Sequence, residues 1–161
     1  SVNVSPVLCS NDFRNTLNQS TLIFYTGVTR SASGILAEQT RVSSQENKKL
    51  ILRRMAKLAY DFKLGLEDNS LEHLSELLKE NWSLKKTLTD GITNSTIDEI
   101  YNAGIGAGAY AGKLLGAGAG GFVMFLAPEN RHTEIINELH KLRPVKFNHE
   151  SSGSRVIYYG E

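Results

Sequence analysis

Residues 113–126 have the sequence Lys-Leu-Leu-Gly-Ala-Gly-Ala-Gly-Gly-Phe-Val-Met-Phe-Leu. The apolar run Phe122–Leu126 predicts a buried strand, and Lys113–Leu115 predicts another strand that leads into the glycines. Between them, residues 116–121 are all Gly or Ala. A glycine-rich connection between two adjacent strands is typical of a hairpin. The expected frame is therefore an antiparallel sheet.

A third strand and several helices are predicted around this hairpin. The β-branched and aromatic run Thr21–Thr26 predicts the strand. Apolar residues at intervals of three and four, behind capping residues such as Ser43 and Asn69, predict helices. The helices are expected at residues 31–39, 43–66, 69–89, 96–105 and 129–142, and short strands at 145–147 and 155–159. This order predicts an α+β fold with a ferredoxin-like antiparallel sheet and a multi-helix insertion.

The composition is that of one globular domain. The chain has 161 residues and a net charge of +1, which argues against a broadly basic nucleic-acid binder. Its longest apolar run, Gly121–Ala127, is far shorter than the ~20 residues of a membrane-spanning helix. Residues 1–6 do not resemble a signal peptide, and the single cysteine, Cys9, suits a reducing compartment. We expect one domain over residues 1–161, with an irregular lead-in over residues 1–20, in the cytoplasm and without nucleic acid or membrane as a partner.

The glycines can serve structure or ligand binding. Gly116–Gly121 satisfies the dinucleotide pattern G-x-G-x-x-G, but that motif requires a helix directly after the glycines, and here a strand is predicted. A Walker A loop is excluded because Gly112-Lys113 is followed by Leu114. The remaining alternatives are a tight hairpin that needs glycine dihedral angles, or bare backbone that lets a phosphate or another loop approach closely. The glycines of residues 104–112 likewise indicate either an early helix end or a small-residue face in close packing.

A second candidate site follows the first strand. Residues 26–33 combine four hydroxyl side chains with Arg30 at the expected junction of a strand and a helix. A helix N-terminus and a guanidinium both favour an anion. The alternative is that Ser31 or Ser33 simply caps the helix and Arg30 is solvated.

The histidines do not indicate a metal site. His73, His132, His140 and His149 show no paired-ligand spacing. The carboxylates of the helices lie mostly opposite the apolar stripes, which is typical of a solvated face, so no residue of this chain is predicted to be catalytic or to bind a metal.

Several segments resemble one family of kinases. Residues 113–126 resemble the C-terminal glycine motif of the GHMP kinases, a superfamily of small-molecule kinases. Residues 22–33 and the run 153–159 are similar to the D-glycero-D-manno-heptose 7-phosphate kinase branch. The three segments together span residues 22–159.

The resemblance implies ATP-dependent phosphorylation of a small alcohol, here the anomeric hydroxyl of the heptose 7-phosphate. It implies that a segment around Arg30 binds the substrate, with Arg30 on the sugar phosphate, and that the glycine motif lies near the ATP phosphates. The implied substrate-binding residues are Thr26, Gly27, Thr29, Arg30 and Ser31, and the glycine motif comprises Gly116, Ala117, Gly118, Ala119, Gly120 and Gly121. ATP and Mg²⁺ are the implied cofactors, held mainly by the N-terminal domain of such kinases.

The sequence departs from the family in one large respect. The P-x-G-x-G-S-S-A type ATP loop of the N-terminal domain does not occur in this chain. The chain therefore resembles the C-terminal domain alone, and we expect it to turn over little substrate by itself and to pair with an N-terminal kinase domain or form a homodimer. The alternatives are a non-catalytic ferredoxin-like ligand-binding or regulatory module, or a GHMP kinase for another small alcohol. A nucleotide-dependent oxidoreductase would need a helix directly after Gly121.

Overall fold

A computed structural model describes residues 5–28, 37, 40, 41, 46–88, 91–116, 118–148, 156 and 158. Among these residues, one helix precedes the first strand, three consecutive helices separate the first strand from the hairpin predicted around the glycines, and one helix separates the hairpin from the last strand. The elements are α1 (Asn11–Gln19), β1 (Thr21–Tyr25), α2 (Glu46–Glu67), α3 (Leu71–Leu88), α4 (Ser95–Gly106), β2 (Ala111–Leu115), β3 (Phe122–Leu126), a 3-10 turn (Glu129–Arg131), α5 (His132–Glu138) and β4 (Arg143–Val145). Within these described residues, no helix is both long and apolar enough to cross a lipid bilayer.

The four strands form one antiparallel sheet in the order β2-β3-β1-β4. β3 lies between β1 and β2, with Tyr25 opposite Phe122 and Phe122 opposite Leu115. β4 pairs with the other side of β1, where Tyr25 faces Arg143. This is the strand order of the ferredoxin-like split βαβ arrangement, in which α2, α3 and α4 form the long first crossover. The predicted α+β fold is confirmed.

Two hydrophobic clusters hold the helices on the sheet. In the larger one, the cross-strand neighbours Phe24, Val123 and Leu114 pack with residues of the helices. The smaller one joins Phe13 of α1 to Leu74 and Leu78 of α3. α3 contributes to both clusters, since Trp82 and Leu88 belong to the larger one. This helix therefore ties the crossover to the sheet along its length.

The first residues of the chain are not all irregular, and the prediction for residues 1–20 is wrong in this respect. α1 begins after Ser10, whose Oγ accepts a hydrogen bond from the Phe13 backbone nitrogen at 3.0 Å. Phe13 is the one residue of α1 that is buried. The apolar side of α1 consists only of Phe13 and Leu17, a stripe of one helical turn within a mostly polar stretch, and its cap and its packing in the smaller cluster stabilise it.

Several predicted boundaries are also wrong. The helix expected at 129–142 is a 3-10 turn followed by α5, which ends at Glu138, and β4 lies two residues earlier than the strand predicted at 145–147. Pro144 lies opposite Phe24 in this edge strand, where a residue without an N–H is tolerated. Of the strand predicted at 155–159, only Val156 and Tyr158 are described, and neither is in a strand. The helix predicted at 31–39 lies outside the described residues except for Ala37.

Helix caps differ from those predicted by one or two residues. Ser70, rather than Asn69, accepts a hydrogen bond from the first turn of α3, through Oγ to the His73 nitrogen at 3.1 Å. Asn94 rather than Thr96 caps α4, since its Oδ1 accepts from the Ile97 nitrogen at 3.0 Å. In both cases the cap is a residue with a side-chain oxygen next to the first turn of the helix, and tertiary packing decides where that turn begins.

One arginine links α2 to α3. Arg54 donates two hydrogen bonds to Glu80, from Nε to Oε1 at 2.5 Å and from Nη2 to Oε2 at 2.6 Å. Its Nη1 also lies 3.3 Å from Asp61 Oδ2. The hydrogen bonds from Arg54 hold the pKa of Glu80 below its ordinary value.

Arg54→Met is expected to destabilise the fold at neutral pH and to lose that effect in acid. A carboxyl group whose pKa is lowered in the folded state adds stability above its unfolded pKa, and that stability disappears as the pH falls through the folded value. Urea unfolding of the wild type and variant should therefore show a difference in free energy that shrinks from about pH 5 to about pH 3. Lys49→Met, which removes an exposed ion pair within α2, is the control. A difference that is the same at both pH values would contradict the role of Glu80.

Candidate functional site

The two segments predicted to form the site lie in contact at one end of the sheet. Because Tyr25 pairs with Phe122, the residues after β1 meet the residues before β3. The Thr26 backbone nitrogen and Oγ1 both donate to the Gly121 carbonyl at 2.9 Å, and the Gly121 nitrogen donates to the Val28 carbonyl at 2.8 Å. Thr26 is only 7% exposed. Its hydroxyl therefore fixes the backbone and does not face solvent.

A third segment completes this junction. We call residues 116–121 the glycine corner. The Ala119 nitrogen donates to the Ile92 carbonyl at 2.8 Å, and Asn94 Nδ2 lies 3.5 Å from the Ala119 carbonyl oxygen. Ala119 and Ile92 are both fully buried. The loop before α4 thus supports the corner from one side, while residues 26–28 support it from the other.

The glycines permit these close approaches. A Cβ atom on Gly120 would collide with the Val28 carbonyl oxygen. A Cβ atom on Gly118, whose φ is +130°, would lie 3.0 Å from both Cα and the carbonyl oxygen of Ile92. The bare backbone predicted from the sequence is therefore used for contact with other loops of the same chain.

The corner also keeps two backbone donors. The nitrogens of Ala119 and Gly121 are used within the chain, but those of Gly118 and Gly120 have no partner in the described ranges. Both glycines are half-buried. Two N–H groups at a glycine-rich turn are a suitable contact for a phosphate oxygen.

Four of the predicted site residues lie outside the described residues: Thr29, Arg30, Ser31 and Ala117. Gly27 is exposed and has a φ of +73°, so it forms the turn between Thr26 and that segment. The proposed roles of these residues, and of the corner near ATP, stay predictions.

Two lysines beside the corner were not predicted. Lys85, near the end of α3, donates from Nζ to the Gly116 carbonyl at 2.6 Å. Lys113, on β2, donates from Nζ to Asn81 Oδ1 at 2.9 Å. Burial lowers the pKa of both amines, and the charge of Lys113 lowers that of Lys85 further. The position of Lys113 within the glycine-rich stretch is a sequence signal that could have drawn attention to it. Lys85 has no such signal, since lysines on helices ordinarily face solvent.

An open groove leads to Lys113. It has a volume of about 440 Å³ and lies between α2, α3 and the sheet. Its lining includes Met55, Leu58, Phe62, Leu77, Asn81 and Lys113. Lys113 and Asn81 are thus polar residues in the lining of a largely apolar groove.

No metal site accompanies these groups in the part of the chain that is described, where no three His, Cys, Asp or Glu side chains come together. The groups that lie together at this end of the sheet are backbone donors and ammonium groups, which stabilise negative charge.

Comparisons with known proteins agree with this architecture. The family model described as GHMP kinases C terminal matches residues 62–144. Over 138 residues the chain is 29% identical to the D-glycero-alpha-D-manno-heptose 7-phosphate kinase of Campylobacter jejuni, which covers 86% of this chain and 41% of that protein. It is 32% identical over 122 residues to the L-fucokinase/L-fucose-1-P guanylyltransferase of Bacteroides fragilis, covering 73% of this chain and 12% of that protein.

A solved structure shows the same fold. The Methanococcus jannaschii mevalonate kinase superposes with a TM-score of 0.66 at 28% identity, over 84% of this chain and 41% of that one. The chain thus spans less than half the length of each of these relatives. The matched family segment runs from the end of α2 through β4 and includes the whole glycine corner. The chain belongs to the family of GHMP kinase C-terminal domains.

Proposed function

We propose that this chain is the substrate-side domain of an ATP-dependent sugar-phosphate kinase that phosphorylates the anomeric hydroxyl of D-glycero-D-manno-heptose 7-phosphate. The similarity to a heptose 7-phosphate kinase supports the substrate. The observation that carries the proposal is the hydrogen bonding of Thr26 to Gly121, which joins the strand-end segment to the glycine corner. Both segments border one cleft in this proposal, as phosphoryl transfer requires donor and acceptor to be held together.

In this proposal each part of the site has its own role. Thr26 and Gly27 set the course of the chain into Thr29, Arg30 and Ser31, and Arg30 grips the phosphate of the sugar through paired N–H donors. The glycine corner lies near the ATP phosphates, where the Gly118 and Gly120 nitrogens contribute hydrogen bonds. An N-terminal kinase domain holds most of the ATP and the Mg²⁺, which neutralises charge on the transferred phosphoryl group.

The partner and location follow from the same proposal. The chain works against an N-terminal kinase domain, and without it the polypeptide is inactive and self-associates, for instance as a homodimer. Exposed apolar side chains at the same end of the sheet, such as Phe122 at 42%, are suited to such a contact. The use of a single cysteine supports a cytoplasmic location.

Arg30→Ala is expected to raise the KM for the sugar phosphate by roughly 10- to 100-fold, because charge-assisted hydrogen bonds to a phosphate are lost. The KM for ATP and kcat should change little. The assay follows ADP release from the two-domain protein with the heptose 7-phosphate. Arg53→Ala, on the exposed face of α2, is the matched control and should leave both constants unchanged.

The same assay tests the substrate. The similarity to a mevalonate kinase favours a second candidate, a GHMP kinase for another small alcohol. Heptose 7-phosphate, mevalonate and fucose are therefore compared by kcat/KM. A preference for mevalonate or fucose would overturn the heptose assignment. Activity of the isolated chain would contradict the proposal that it needs an N-terminal kinase domain. Ligand binding without turnover of any alcohol by the two-domain protein would favour a regulatory module.

A further inference from the structure

Lys85 and Lys113 lack a carboxylate partner in the described part of the chain, as do Lys48 and Lys57 of α2. Four lysines of α2 and α3 have a carboxylate within 4.0 Å, in the pairs Lys49–Glu46, Lys63–Glu67, Lys79–Glu76 and Lys86–Asp98. Within the described part of the chain, Lys85 and Lys113 have no such partner, and each bonds a neutral oxygen instead. Lys85 and Lys113 are both half-buried beside the glycine corner, and a buried cation needs a counterion more than an exposed cation does.

Both ammonium groups retain hydrogen-bonding capacity. An ammonium has three N–H donors, and each of these lysines shows one hydrogen bond to the protein, to the Gly116 carbonyl and to Asn81 Oδ1 respectively. About two donors and one positive charge remain on each amine. Both amines lie between α3 and the end of β2, since Asn81 and Lys85 are one turn apart on α3 and Gly116 directly follows β2. Burial lowers the pKa of Lys85, and the charge of Lys113 lowers it further.

We propose that Lys85 and Lys113 together form a binding site for a phosphoryl group at the base of the glycine corner. Two cations with spare donors match a dianion with three terminal oxygens better than a carboxylate, which carries one charge and two oxygens. The groove lined by Asn81 and Lys113 gives the ligand a route to Lys113. Lys85 in addition positions the corner through Gly116, so that ligand binding and corner geometry are coupled.

This proposal adds a binding site to the proposed function. It rests on that function only in saying which molecule supplies the phosphoryl group. A sugar phosphate and a nucleotide present the same chemistry to two ammonium groups. Inorganic phosphate tests the site itself, while glucose 6-phosphate and ADP, titrated separately, distinguish the two sources.

The experiment measures binding of inorganic phosphate to the two-domain protein by calorimetry, with Lys85→Gln, Lys113→Gln and Lys79→Gln. Glutamine keeps the length and one donor group but removes the charge. Each of the first two variants is expected to bind phosphate roughly tenfold more weakly, the loss of one charge-assisted hydrogen bond. Lys79→Gln, which removes an exposed, paired lysine of the same helix, should bind as the wild type does.

A second readout separates binding from a structural role. NMR of labelled lysine side chains reports the titration of each amine, and phosphate should raise the pKa of both Lys85 and Lys113 in the wild type. A shift of neither amine, or phosphate affinity that is unchanged in both variants, overturns the site. The same holds if the wild type binds no phosphate. Phosphate binding that depends on both lysines, in a protein that phosphorylates no alcohol, would instead contradict the proposed function and leave the site standing.

Discussion

Gly104→Ala is expected to lower the free energy of unfolding by about 2 kcal/mol, although alanine is the better helix former. A Cβ atom at this position of α4 would collide with Cζ of Phe125 and lie 2.5 Å from its Cε1. The ring is fully buried, with Phe24 at 6.3 Å and Tyr101 at 6.4 Å between ring centroids. It has little room to retreat, and overpacking of this kind costs about 3 kcal/mol. The gain in helix propensity, about 1 kcal/mol, offsets only part of that cost.

Gly106→Ala is the matched control in the same helix. A Cβ atom there has nothing within 4 Å, so the substitution should be neutral or stabilise the fold by up to about 1 kcal/mol. Urea unfolding followed by circular dichroism compares the two variants. Equal effects at positions 104 and 106 would show that the contact with Phe125 does not limit the packing of α4.

A double-mutant cycle identifies the atom responsible. Phe125→Leu removes the outer ring atoms that the new Cβ would meet, so Gly104→Ala should cost less in that background than in the wild type. Coupling of about 1 kcal/mol or more is expected for residues in direct contact. Additive effects would place the cost elsewhere in the helix.

This packing resolves the two alternatives that the sequence left open for residues 104–112. The helix does end early, at Gly106, and its small residue at position 104 also packs closely on Phe125. Gly112, on β2, meets the same ring, since a Cβ there would lie 2.6 Å from Phe125 Cδ1. Two glycines, one on a helix and one on a strand, thus make room for one aromatic side chain. The sequence shows that room is needed but does not show which residue fills it.

The fold was predictable because its strongest signals are local. The runs around Phe24 and Phe125 are apolar and bounded by turn residues, and they form β1 and β3 as expected. α1 and β4 escaped accurate prediction because each depends on a distant partner. Phe13 packs on α3, and the register of Pro144 is set by Phe24.

The candidate site was predictable to a similar extent. Once β1 and β3 are neighbours with Tyr25 opposite Phe122, Thr26 must lie beside Gly121. Lys85 is different, because its contact with Gly116 spans 31 positions of sequence and depends on how α3 lies against β2. No periodicity or motif encodes that distance, so the lysine could be found only in three dimensions.

Gly120→Ala is expected to lower the free energy of unfolding by about 3 kcal/mol and to impair the kinase more than its effect on stability explains. The new Cβ would collide with the backbone carbonyl oxygen of Val28, which also accepts the hydrogen bond from Gly121. A backbone group cannot change rotamer, so either the corner or residues 26–28 must move, and the cost is at the upper end for overpacking.

Gly116→Ala separates this collision from backbone strain. Gly116 has a φ of +90°, and a Cβ atom added to it would have nothing within 4 Å, so alanine there suffers only from its dihedral angle, at a cost of about 1 kcal/mol. Both variants are compared by urea unfolding of the two-domain protein. If Gly120→Ala costs no more than Gly116→Ala, the contact with Val28 yields easily and the corner is not a rigid junction.

Activity distinguishes a structural corner from one that also positions substrate. Moving residues 26–28 would displace the segment that we assign to the sugar phosphate, and a misplacement of about 1 Å can reduce turnover about 100-fold. We therefore expect kcat/KM of Gly120→Ala to fall by roughly that factor at a temperature where the variant is still folded, while Gly116→Ala keeps most of its activity. Folded Gly120→Ala protein with wild-type kcat/KM would mean that the junction serves the fold alone, and the acceptor would then have to bind away from Thr26 and Gly27.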